Sequence, residues 1–169
     1  MEPIQIINYE PVHQPFFERF NRQWIEELFV MEPVDEWMVT HPEKAIIEPG
    51  GAILMAEYNG VVAGTVGLRK ASENSYELIK MAVDNNFRRK GIAEALSYAS
   101  FRKAKAMGAT NVILYSNKRN AEAVKLYEKV GFRHVQVEAG VYKRADVKMI
   151  MDIETAIRSA DKYDQLVQL

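Results

Sequence analysis

The period at which apolar residues recur changes several times along the chain, and each change marks an element. Ile4-Gln5-Ile6-Ile7-Asn8-Tyr9 is a short β-rich run closed by Pro11, which predicts a first strand. From Pro15 to Val30 the residues Phe16, Phe17, Phe20, Trp24 and Leu28 recur at helical spacing, so this stretch predicts a helix. Pro33, Pro42 and Pro49 interrupt residues 31–51, which leaves one short helix near Asp35–Thr40 and then loop. Two apolar runs follow, Ile53–Tyr58 and Val61–Leu68, joined by Asn59-Gly60. Asn-Gly between such runs predicts a hairpin, because both central positions of the tight turn need positive φ. A second turn at Ser72–Ser75 leads into a strand over Tyr76–Val83, completing an antiparallel meander. The period then returns to helical over Gly91–Met107, with Gly108 as the stop. Asn111–Ser116 predicts a strand. Asn120 can cap a helix in which Ala123, Leu126, Tyr127 and Val130 share a face, with Gly131 just past its end. Phe132–Val137 and Val147–Asp152 predict two more strands, and Glu154–Leu169 has weak helical character.

This order predicts an α/β (α+β) fold with a mixed sheet of six or seven strands. The sheet begins antiparallel and switches to parallel crossovers. Mixed sheets of this kind bind ligands where strands change partners. The 169 residues carry no linker or repeat, so one domain over 1–169 is expected, with 153–169 as its tail. Composition narrows the chemistry. The chain has no cysteine, which excludes disulfides, thiolate zinc sites and a cysteine nucleophile. His13, His41 and His134 lie far apart and fit no metal-binding spacing, so structural or surface roles and no metal are expected. A net charge of −1 gives no bulk attraction to nucleic acid or to an anionic membrane. No apolar run approaches the ~20 residues that span a bilayer. Met1-Glu-Pro-Ile-Gln lacks a signal pattern, so a cytoplasmic location is expected.

The stretch with chemical content is Met81–Ala93. A strand ends at Val83, a short polar loop follows, and Arg88-x-x-Gly91-x-Ala93 opens a helix. The first turn of a helix presents unpaired N–H groups and the positive end of the dipole. Gly91 and Ala93 would let an anion approach the backbone, and Arg88, Arg89 and Lys90 add positive charge. A phosphate suits such a terminus. The competing reading is an ordinary helix start with basic surface residues. The stretch is neither a P-loop nor a dinucleotide fingerprint, since only one glycine is present and no βαβ unit precedes it.

Arg88-x-x-Gly91-x-Ala93 resembles the R/Q-x-x-G-x-G/A motif of GNAT acetyltransferases, set between a strand and a helix as in that family. Glu57–Val66 is similar to the family's central hairpin, and Leu126-Tyr127-Glu128-Lys129-Val130-Gly131-Phe132 to its L-Y-x-x-x-G-F signature. The resemblance covers roughly residues 4–152. Trp24, Phe29–Pro33, Gly50-Gly51 and Tyr142–Met149 further resemble a bacterial subgroup of unknown acceptor specificity, sometimes fused to MarR-type regulators, for which this chain has no room.

The resemblance implies a GNAT fold with a central parallel splay between two strands, and acetyl-CoA as cosubstrate without a metal. It implies that the backbone of Arg88, Arg89, Lys90, Gly91, Ile92 and Ala93 holds the CoA pyrophosphate, with Ala93 in place of the commoner second glycine. Met81, Ala82 and Val83 would pair through their main chain with the pantetheine arm and polarise the thioester carbonyl. Asn120 would contact the cofactor, cap its helix, or do both. Tyr127 falls where many members protonate the departing thiolate; otherwise it is a helix contact. Glu77, eleven residues before Arg88, falls where several members keep a base; otherwise it is a strand-end carboxylate in solvent or a salt bridge. Strand alternation places Glu77, Ile79, Met81 and Val83 on one face. An acceptor pocket is expected from residues 24–51 and the loop after Val137. Its walls would be Trp24, Phe29 and Trp37, its carboxylates Glu27, Glu32, Asp35 and Glu36, with Tyr142 and Arg144 as further contacts. The function implied is direct acetyl transfer to a primary amine of a small molecule or peptide. A non-catalytic acetyl-CoA sensor and a transferase of longer acyl groups are the alternatives. No nucleic-acid or membrane partner is expected, and the tail leaves a homodimer open.

Overall fold

Asn59 and Gly60 both adopt left-handed φ, 49° and 82°, and fold the chain back into the tight hairpin that their sequence predicts. In the computed structural model, which describes residues 2–167, that hairpin joins β2 (Ala52–Tyr58) to β3 (Val61–Lys70). β1 (Ile4–Asn8) pairs antiparallel with β2, and β4 (Ser75–Val83) antiparallel with β3, giving the expected meander. β5 (Asn111–Ser116), β6 (Arg133–Val135) and β7 (Val147–Asp152) complete a seven-stranded sheet of order β1-β2-β3-β4-β5-β7-β6. Among the described residues the only neighbouring strands that run parallel are β4 and β5. A second parallel pairing was expected after the next crossover, but β7 inserts between β5 and β6 and pairs antiparallel with both.

Alternation along β2 separates two cores. Leu54 and Ala56 face a large cluster that also takes Leu96, Phe101, Tyr127, Val130 and Met149. Ile53 and Met55 face a smaller one with Phe17, Val39 and Ile46. The first is covered by α3 (Ile92–Ala106), α4 (Ala121–Val130) and α5 (Ile153–Val167). The second is covered by α1 (Gln14–Leu28), α2 (Pro33–Thr40) and a π-helical turn over Glu43–Ile47 where loop was expected. α2 starts at Pro33, two residues before the sequence-based boundary, because Pro suits the first helical position and Glu32 and Asp35 form a reciprocal capping box.

α5 is a regular helix rather than a weakly helical tail, and it packs on α3 of its own chain. Ala156 and Ala160 are buried, Tyr163 stacks on Tyr98 at 4.3 Å between centroids, and Arg102 pairs with Asp161 and Asp164. Residues 168 and 169 of the expected tail lie outside the described residues. Among the described residues no helix is long and apolar enough to cross a membrane. The histidines have structural partners: His13 Nδ1 accepts from the Glu10 amide, His41 stacks on Trp37, and His134 pairs with Glu128.

Three features of this frame shape the site. β4 and β5 are in register only at Ser75↔Asn111, Tyr76↔Val112 and Glu77↔Ile113; beyond Glu77 they diverge, and the β4 edge there has no strand partner among the described residues. β4 also carries a bulge: the pairing with β3 shifts between Thr65 and Gly67, opposite Lys80, which holds φ 52°. Finally, α3 lies close on β3 over Gly64, where any Cβ would sit 3.0 Å from Ile92 Cγ2 and 3.2 Å from Leu96 Cδ1. That close approach seats the start of α3 directly on β3.

Candidate active site

The divergence of β4 and β5 opens a cavity whose walls include Leu78, Ile79 and Met81 from β4, Tyr115 and Ser116 from β5, and Tyr127 from α4. Of the residues expected at the site, Glu77, Met81, Asn120 and Tyr127 line this cavity, whereas Ala82, Val83 and the turn over 88–93 are not among its walls.

The turn is as the sequence implies, with one boundary moved. Gly91 is the residue before α3 rather than its first residue, with φ 81° and ψ 10°. Arg89 is also left-handed at φ 63°. Such reversals turn successive N–H groups into an anion-binding concavity. Among the described residues the amides of 88–94 donate no backbone hydrogen bond; the first helical one is Ala95 to the Gly91 carbonyl, at 3.1 Å. The loop before the turn is fixed by Asp84, whose carboxylate accepts from the Asn86 amide. The Arg88 side chain pairs with Glu27 at 3.3 Å, and Lys90 lies 5.1 Å from the centre of the Tyr58 ring.

Between the strands, Tyr127 is 6 % exposed, and its hydroxyl has no hydrogen-bond partner among the described residues. Burial raises its pKa well above the usual phenol value. Asn120 occupies the N-cap position of α4 but makes no cap hydrogen bond; its side chain lines the cavity instead.

Glu77 is neither in solvent nor alone on an apolar face. It is 2 % exposed and sits opposite Arg69 in the β3–β4 ladder. Arg69 donates to Glu77 Oε1 through Nε at 3.1 Å and Nη2 at 2.7 Å, and the Tyr142 hydroxyl lies 3.1 Å and 2.9 Å from the two carboxylate oxygens. Burial, and then the Glu77 charge, raise the Tyr142 pKa. The expected common face of Glu77, Ile79, Met81 and Val83 is broken by the bulge. Met81 and Val83 pack on the large core together with Tyr76 and Leu78, whereas Ile79 packs on the small one. One left-handed residue has reversed the alternation.

At the acceptor end the cavity takes Trp24, Phe29, Glu32, Asp35, Tyr142 and Arg144, as expected. Trp37, Glu27 and Glu36 are not part of it. Trp37 is 46 % exposed on the outer side of α2, Glu27 holds Arg88, and Glu36 accepts two 2.7 Å bonds from Arg22. Lys80 was not expected here. Its Nζ donates to Asp35 Oδ1 at 2.8 Å, and Arg144 Nη2 donates to the same oxygen at 2.8 Å. Asp35 Oδ2 accepts from the Glu32 amide at 3.0 Å. Burial opposes the charge on Asp35, but these donors outweigh it and hold its pKa below the ordinary aspartate value. Lys80 has one partner for three donors, so burial wins there and lowers its pKa despite Asp35. A Lys in the middle of the apolar run Leu78–Val83 was the available signal for it. The hairpin register was the signal for Arg69.

The structure thus combines a splayed parallel pair, a turn of free amides after β4 and a buried phenol that lines the cavity. The chain belongs to the acetyltransferase (GNAT) family, whose sequence profile matches residues 13–132. It is 38 % identical over 102 residues to the human N-acetylaspartate synthetase, an alignment covering 56 % of this chain and 34 % of that protein. The chain thus spans about a third of the length of that curated relative. Its fold is similar to a GNAT-family acetyltransferase from Staphylococcus aureus, with a TM-score of 0.79 and 20 % identity over 89 % of this chain and 99 % of the other. It is also similar to the PaiA N-acetyltransferase of Thermoplasma acidophilum, solved in complex with coenzyme A. There the TM-score is 0.70 and the identity 17 %, over 88 % and 98 % of the two chains.

Proposed function

We propose that this chain, as one domain, is an N-acetyltransferase that moves the acetyl group of acetyl-CoA to a primary amine by direct attack within a ternary complex. The observation that carries the proposal is the run of amides over 88–94, a few residues beyond the end of β4, that donate no backbone hydrogen bond among the described residues. Those amides would hold the diphosphate. The unpartnered edge of β4 at Met81, Ala82 and Val83 would take the pantetheine arm and place the thioester between the strands.

The acceptor enters from the Trp24, Phe29 and Tyr142 side. Its ammonium gives up a proton, the nitrogen attacks the acetyl carbon, and an N–C bond replaces the C–S bond. Glu77, which lines the cavity, would receive that proton, directly or through a water; Arg69 and Tyr142 keep it in one position. Tyr127 returns a proton to the thiolate. Its raised pKa keeps the phenol protonated through the neutral range, as an acid in this role requires. Asn120, with no cap bond to make, is free to contact the cofactor.

The test is release of free CoA from acetyl-CoA across a panel of primary amines, with product mass measured. Amine-dependent release of CoA and a product heavier by one acetyl group support the reading. Tight CoA binding with no release over the whole panel would leave a binding protein in its place.

A further inference from the structure

Outside the groups used above, the cavity holds a second cluster that the transfer step does not need. Lys80 sits at the bulge of β4, in a left-handed conformation that residues other than glycine rarely adopt. Strain of this kind persists at positions where the surroundings demand it. The bulge turns Lys80 into the cavity, where its side chain is 10 % exposed. Arg144 reaches the same place from the β6–β7 connection. Its Nη1 donates to the Val30 carbonyl at 3.2 Å, and its Nη2 shares Asp35 Oδ1 with Lys80.

The two cations therefore converge on one carboxylate oxygen. That carboxylate is fully engaged, because its other oxygen accepts from the Glu32 amide. The cations are not. Lys80 has a single bond and Arg144 two, which leaves N–H donors on both with no acceptor among the described residues. The nearest further anion is Glu32, 3.7 Å from Arg144 Nη1 and part of the helix cap. A nearly buried ammonium with spare donors is stabilised by a second acceptor.

We infer that Lys80 and Arg144 form an anion subsite for the acceptor, so that the amine this enzyme acetylates also carries a carboxylate, as an amino acid does. This rests on the transferase reading above. Asp35 holds the pair in place while the site is empty. The acceptor's carboxylate takes the spare donors of Lys80 and Arg144, and its amine is thereby directed toward Glu77 and the thioester.

The experiment compares L-aspartate, L-lysine and L-phenylalanine with their carboxyl-amidated forms, using CoA release, after acetyl-CoA binding has been measured by calorimetry. Amidation removes the anion but keeps the size and the amine. It also makes the ammonium more acidic by removing a neighbouring negative charge. Without an anion subsite the amides should therefore be the better acceptors. The expected result is a kcat/KM at least tenfold higher for one or more of the acids than for its amide. Lys80→Met and, on the connecting loop, Arg144→Gln should each raise the acceptor KM tenfold or more for acids. The acetyl-CoA KM should stay as it is, the rates with amides should fall by much less than those with acids, and Lys80→Arg should recover part of the loss. Amides, or amines such as spermidine, used as well as or better than every acid would overturn the inference while the transferase reading stands. So would variants that depress acids and amides equally, the signature of a structural role. Bound acetyl-CoA with no turnover of either arm would remove the transferase reading and this inference together.

Discussion

Replacing Tyr127 with Phe separates chemistry from architecture at this site. The side chain is 6 % exposed and packs edge-on against Phe132, with ring centroids 5.9 Å apart. Tyr127→Phe keeps the ring, so that contact and the packing of α4 survive. The hydroxyl makes no hydrogen bond to the described residues and opens onto the cavity, so deleting it breaks no protein hydrogen bond. We expect a change in unfolding free energy within about 0.5 kcal/mol, well inside the range of mild substitutions. Turnover should respond differently. A positioned general acid contributes about 10²–10⁴-fold, equivalent to roughly 3–5 kcal/mol of barrier at 1.36 kcal/mol per tenfold. The assay is steady-state CoA release at saturating acetyl-CoA and acceptor, with CoA affinity by calorimetry and stability by thermal unfolding on the same samples. Turnover should fall by about 10² or more, with CoA affinity and stability preserved. Because burial raises the Tyr127 pKa, the wild-type enzyme should show no loss of rate assignable to this phenol as pH rises through 8 and 9. Turnover of the Phe variant within threefold of wild type would remove Tyr127 from the mechanism, and a matched loss of stability would make it a packing residue.

Glu77→Gln keeps an acceptor for Tyr142 but removes both the base and the charge that faces Arg69. Turnover should fall by about 10²-fold if Glu77 takes the proton, and unchanged turnover with lowered thermal stability would reduce it to a structural partner. Gly91→Ala meets no steric obstacle, since the nearest atom to a new Cβ is Ile4 Cδ1 at 4.0 Å, yet φ is 81°. The expected cost in stability is about 1–2 kcal/mol, while Gly91→Glu, which adds a negative charge beside the free amides, should abolish CoA binding by calorimetry. CoA bound with wild-type affinity to the Glu variant would show that the turn holds no phosphate. Asp35→Asn removes one partner from a buried ion pair and should destabilise the fold by about 3–5 kcal/mol near neutral pH. The folded pKa of Asp35 lies below the ordinary 3.8, so its contribution is complete above that value and is lost as pH falls through the folded one. The stability gap between wild type and Asn variant, followed by denaturant unfolding, should be flat from pH 5 to 8 and close below it; a gap that widens in acid would contradict the assignment.

What could be read in the sequence was whatever local chemistry determines. Asn59-Gly60 specified a turn, Gly91 marked a position for left-handed backbone, and the helical period of Ala123, Leu126, Tyr127 and Val130 turned the phenol inward. Each of these depends on residues within one or two turns of chain. The bulge at Lys80 does not. A left-handed lysine in a strand has no compositional mark, so simple alternation carried through it and put Met81 and Val83 on the wrong face. The same slip hid Lys80, because a lysine in the middle of a strand is read as an outward charge until the backbone is seen to reverse there. Contacts such as Tyr142 with Glu77 and Arg144 with Asp35 join residues 65 and 109 positions apart, beyond any local pattern. The proposed acceptor end is assembled from such contacts, whereas the proposed cofactor end is one continuous turn and one strand edge. A family that varies its acceptor while keeping its cofactor would put the local, legible part where chemistry is shared and the long-range part where specificity is set. The division between what the sequence revealed and what it concealed follows that line, with Gly91 on one side of it and Lys80 on the other.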